Sequence, residues 1–123
     1  MPPAIVLLSK KISPSLLSDL TAEIFDSFVK IVVDVDRGIL AAGGEMHADA
    51  EQLLLENGSK QSSLWGANFH PYESGMARIE FTSFINIRPR DNNTSMVVED
   101  KVIQERMVEL CDQLLLGAED DLA

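Results

Sequence analysis

The amino-acid sequence predicts an α+β domain: a mainly antiparallel sheet of about five strands, helices packed on one face, and a long C-terminal helix. Three observations carry this prediction. Apolar runs of strand length follow one another with only turns between them, which favours antiparallel pairing. Stripes at helical spacing occur before, between and after those runs. The chain has 123 residues, 46% hydrophobic and 24% charged. That is the size and composition of one folded domain, able to hide roughly two-thirds of its unfolded surface.

The elements follow in order. Ile5-Val6-Leu7-Leu8 is a short apolar run suited to a buried strand. Ser13-Pro14 sets a hydroxyl cap before a proline at the first helical position, where the missing N–H costs nothing. This predicts a helix from about 14 to 26 with Leu17, Leu20 and Ile24 on one stripe. From Phe28 to Val35 the residues are β-branched, and Ile39 to Gly44 answers them after a turn at Arg37-Gly38. A two-residue turn sets Val35 opposite Leu40, Val33 opposite Ala42 and Ile31 opposite Gly44. The other face then carries Lys30, Val32, Asp34 and Asp36, with Lys30 across from Glu45.

Asp49-Ala50-Glu51-Gln52 reads as a capping box for a short helix over Ala50 to Asn57, ended by Gly58. Leu64 to Phe69 is a strand candidate. The clearest alternation lies between Arg78 and Arg88, with Ile79, Phe81, Ser83, Ile85 and Ile87 on one side, until Pro89 stops it. The last helix, capped by Ser95 or Asp100 and ending at Gly117, repeats Ile103, Met107, Leu110 and Leu114 on one stripe that Cys111 and Leu115 widen. Residues 1–117 read as a single domain, and 118–123 as an acidic tail expected to fray.

Composition narrows the function classes. The net charge of −10 opposes binding to nucleic acid or anionic lipid, because affinity for phosphate comes largely from basic side chains. Residues 107–123 carry Glu109, Asp112, Glu119, Asp120 and Asp121 and no base, so the rest of the chain is only mildly acidic. The single cysteine, Cys111, permits no internal disulfide and no thiolate metal cage. No apolar run approaches the ~20 residues of a membrane span, and the first residues lack the order of a secretory signal. A cytoplasmic protein without a cofactor is expected.

Four constellations carry candidate chemistry. Asp34, Asp36, Glu45 and His47 share one predicted hairpin face, and oxygen ligands with one imidazole suit a divalent ion. The same residues also suit the wet side of a hairpin, with Asp36 starting the turn. The segment from Leu64 to Tyr72 holds three of the seven aromatics, and Trp65, Phe69 and Tyr72 with His70 would form a ligand pocket or a stacking platform for bases. Equally, they would be core and loop anchors, with the Trp65 N–H satisfied locally. Arg88 and Arg90 flank Pro89 and would hold a phosphate or carboxylate, or pair with Asp91 or Glu99. The stripe of the last helix is core, and at its spacing it would also meet a second copy.

Several pieces of the chain match a known pattern: Val33-Asp34-Val35-Asp36-Arg37-Gly38-Ile39, Gly43-Gly44-Glu45-Met46-His47-Ala48-Asp49, Asn57-Gly58-Ser59, Leu64-Trp65-Gly66, Asn86-Ile87-Arg88-Pro89 and Val98-Glu99-Asp100. Through them the sequence resembles, from about residue 29 to 115, a family of short uncharacterised bacterial proteins found among cyanobacteria and other groups. That family is a domain of unknown function, so the resemblance implies a single α+β domain and transfers no activity. Four antiparallel strands followed by a long helix are also similar to the Whirly and related single-strand-binding regulators, a likeness of fold alone.

The leading expectation is a non-catalytic ligand- or protein-binding module acting as a homodimer. One alternative is a divalent-metal-dependent enzyme using Asp34, Asp36, Glu45 and His47. Another is a single-stranded nucleic-acid binder using Trp65, Phe69, Tyr72, Arg88 and Arg90, which the charge opposes.

Overall fold

The computed structural model describes residues 4–122. The elements are β1 (Ile5–Leu8), α1 (Pro14–Glu23), β2 (Val29–Asp34), β3 (Ile39–Gly43), α2 (His47–Glu56), β4 (Leu64–Phe69), β5 (Ile79–Glu80) and α3 (Lys101–Leu114). The strands form one five-stranded sheet in the order β1-β3-β2-β4-β5, and every pairing is antiparallel. The α+β class and the antiparallel sheet agree with the sequence.

Alternation along the central strands builds two apolar layers. Ile31, Val33, Leu40, Ala42, Trp65, Ala67 and Phe69 face Leu17 and Leu20 of α1 and Met107, Leu110, Cys111 and Leu114 of α3. Val32, Ile39, Ala41 and Leu64 lie beneath Ala50 and Leu54 of α2. The helices therefore do not all gather on one face: α1 and α3 share one, and α2 covers the other. Both faces of β2 and β3 are buried, which explains why Val32 and Ala41 interrupt an expected polar face.

The β2–β3 hairpin turns through four residues, 35–38, rather than the expected two. Val33 pairs with Leu40 and Ile31 with Ala42, two residues away from the register of a two-residue turn, so the faces are preserved. The cause is Asp34, whose Oδ1 accepts from Asp36 N at 3.1 Å and Arg37 N at 2.9 Å. These bonds close a turn over residues 35–38 in which Gly38 takes φ +70° and donates its N–H to Asp34 O at 3.0 Å. The shifted register moves Glu45 away from the position opposite Lys30; on its other side Lys30 pairs with Asn68 of β4, and its Nζ lies 5.4 Å from the Phe25 ring centroid.

The expected strand between Arg78 and Arg88 shrinks to Ile79–Glu80, paired with Phe69 and Asn68. Beyond it the chain turns through short 3-10 segments at Phe84–Asn86 and Pro89–Asp91, and side chains take over the edge of β4. Asn86 Oδ1 accepts from Gly66 N at 2.8 Å and its Nδ2 donates to Gly66 O at 3.0 Å. Arg88 Nη1 donates to Leu64 O at 2.7 Å. The approach is close enough to require glycine at 66, since a Cβ there would lie 2.7 Å from Ser83 Cβ.

Helix caps follow the sequence in two cases. Ser13 Oγ accepts from Leu16 N at 3.2 Å, and Asp100 Oδ1 accepts from Val102 N at 2.8 Å, so Asp100 rather than Ser95 starts α3. The third case differs. Helix α2 begins at His47 with no side-chain cap, and Asp49 lies in its first turn. The His47 ring anchors this start by its bond to Ala67 O of β4 at 2.8 Å. Past α3, buried Arg78 donates through Nη1 to Gly117 O and through Nη2 to Asp120 O, each at 2.9 Å. These bonds tie Gly117 and Asp120 to the segment that leads into β5.

Candidate functional site

Asp34 and Asp36 of the acidic hairpin serve as structural acceptors. Asp34 is fully buried; besides the two turn amides, its Oδ2 accepts from Ser59 Oγ at 2.6 Å. Arg37 joins the same knot, donating through Nη1 to Asn57 O at 2.8 Å and Ser59 Oγ at 3.1 Å, which ties the turn to the end of α2. Asp36 accepts from the Ser63 hydroxyl. Glu45 is exposed beyond β3. Burial holds the His47 imidazole below its ordinary value, outweighing the bond to Ala67 O, and the Lys30 charge acts in the same direction. Among the described residues, no three His, Cys, Asp or Glu side chains come together as a metal-ligating group.

The aromatic and arginine residues also separate. Phe69 is fully buried and Trp65 is 3% exposed, so neither ring is free to stack on a base. Arg88 turns inward, its guanidinium carbon 4.1 Å from the Trp65 ring centroid and its Nε 3.1 Å from Asp91. Among the described residues, the expected local partner for the indole is missing: Trp65 Nε1 is buried without a hydrogen bond. His70 sits between the Phe28 ring, at 5.2 Å between centroids, and Glu80, at 3.5 Å. Tyr72 and Arg90 are exposed. Arg88 is thus a packing and edge-capping residue.

What does form is a groove of about 930 Å³ between the segment that leads into β5, the outer side of α3 and the chain after it. Its apolar lining comes from the half-buried Ile79 and Phe81 and from Val108, with the exposed Met76 at the rim. Glu105, Asp112 and Glu119 stand among the lining residues with Gln104. Arg78 forms part of the wall, but its guanidinium is turned to the backbone; Nε also donates to Glu73 O at 2.8 Å. Burial raises the Asp112 carboxyl above its ordinary value, an effect that the Arg78 charge opposes. A volume in this range suits a small molecule.

None of the groove residues stood out in the sequence as a site. The signal was present on α3, where Glu105, Val108 and Asp112 recur at i, i+3 and i+7 beside the core stripe. A valine among acids on the outer side of a helix is a weak mark, and only folding sets Met76 and Phe81 against it.

A family model described as protein of unknown function (DUF5674) matches residues 6–114. No curated protein and no solved structure matches the chain.

Proposed function

The chain belongs to that family of unknown function, and from this premise we propose that it is a non-catalytic binding module whose ligand site is the groove between β5 and α3. One observation carries the reading: Ile79, Phe81 and Val108, with Met76 at the rim, present apolar surface in an open groove of about 930 Å³. Open apolar surface of this kind marks interaction sites. Support for a non-catalytic role comes from the groups with chemical potential elsewhere. Asp34 is engaged by the hairpin backbone, His47 by Ala67 O, and Cys111 is fully buried.

The reading is tested by amide NMR during titration with a neutral apolar dye such as Nile red. Shifts confined to residues 74–81, 104–112 and 118–119, and abolished by Val108→Glu, are expected. Shifts elsewhere, or none, remove the groove as the site.

Homodimer formation belongs to this reading on a different surface from the one the helix stripe suggested. Met107, Leu110 and Leu114 are buried in their own protomer. Phe84 and Val102, at 77% and 72% exposed, are among the large apolar side chains left for a second copy. A monomer mass by light scattering at tens of micromolar would remove the dimer. A cytoplasmic location rests on the lone cysteine; among the described residues no helix is long and apolar enough to cross a membrane.

A further inference from the structure

We propose that the groove selects a small molecule carrying a cationic group on an apolar body, such as an alkyl- or arylalkyl-ammonium. This rests on the groove being the ligand site. The apolar body is accounted for by Ile79, Phe81, Met76 and Val108. The charge follows from the other lining groups. Glu105, Asp112 and Glu119 are carboxylates, and among the described residues the one basic residue of the lining is Arg78.

Arg78 does not offer itself to an anion. It is 5% exposed, and Nε, Nη1 and Nη2 donate to the carbonyls of Glu73, Gly117 and Asp120 at 2.8, 2.9 and 2.9 Å. With its donors aimed at backbone, no lining group has a free N–H fork for a carboxylate or phosphate. Asp112 is half-buried, where an incoming ammonium replaces part of the hydration that the carboxylate has lost. The net charge of −10 adds a field that draws cations and repels anions.

A second copy of this chain is a poorer occupant. A two-fold contact sets a surface against itself, so carboxylates of one groove would face those of the other across an apolar lining. A small cation neutralises the same groups without that repulsion.

The test is an NMR-monitored titration of the full chain with octylammonium, 1-octanol and octanoate, which share one apolar body and differ in charge. Octylammonium is expected to bind in the groove on the order of tenfold tighter than octanoate, with 1-octanol between them. In the double variant Glu105→Gln, Asp112→Asn the preference should collapse while 1-octanol still binds. Equal or tighter binding of 1-octanol or octanoate in the wild type overturns the cation claim and leaves the groove as the site. Preference retained in the double variant also overturns it. Failure of all three to shift groove residues sinks the cation claim and the groove reading together.

Discussion

Two asparagines stand in for a strand. Asn86 serves both backbone groups of Gly66, and Asn93 Nδ2 donates to Asn86 O, Ser95 O and Val97 O at 2.8, 3.0 and 2.9 Å. Removing a buried partner leaves the remaining groups desolvated and unpaired, so Asn86→Ala should lower stability by roughly 2–4 kcal/mol in urea denaturation. A loss under about 1 kcal/mol would deny it this role. His47 gives a pH prediction. Its folded-state value lies below the ordinary 6.5, so the unfolded chain takes up the proton first. Stability associated with the neutral ring is present above about pH 6.5 and is lost as pH falls toward the folded-state value. Melting temperature should therefore drop more for the wild type than for His47→Gln between about pH 7.5 and pH 5; equal drops would refute the assignment. Burial also pushes the Cys111 thiol well above its ordinary range, so a thiol reagent should label it only in denaturant.

At the level of elements, α3 is held by its cap and its stripe. Asp100→Ala removes an acceptor from Val102 N and Ile103 N and should cost about 1 kcal/mol. Leu110→Ala empties part of the layer beneath the helix and should cost roughly 2–5 kcal/mol; both are read from urea midpoints. Elements with a strong local signal were legible in the sequence. Ser13-Pro14 and Asp100 start their helices, and the α3 stripe is the buried one. The strand expected from Arg78 to Arg88 was not, because period-two alternation says that a segment is extended and not what it pairs with. There the partner groups of β4 are met by side chains, so only Ile79–Glu80 enters the ladder. The side taken by α2 was equally hidden. Its place is set by the Asp34, Arg37 and Ser59 knot and by His47 on Ala67, contacts between residues far apart in sequence.

For the molecule as a whole, Arg78 links parts that lie 39 and 42 residues apart in the chain. Arg78→Gln should release residues 117–122, seen as faster amide exchange there and in the neighbouring groove wall; unchanged exchange would show that the tail is held by other contacts. The groove was the least legible feature, since its walls come from three separate segments and its apolar lining looks like ordinary core in one dimension. A last consequence follows from α3 closing the sheet. Arg106 Nε donates to Val35 O at 3.1 Å across 71 positions, and Ile12 N donates to Leu114 O at 2.9 Å. During translation, the layer of Ile31, Val33, Leu40 and Trp65 therefore has only α1 to cover it until residues 101–114 have left the ribosome. The nascent sheet is exposed to misassociation for that whole interval, and early termination before α3 should yield a chain that chaperones retain rather than a smaller folded domain.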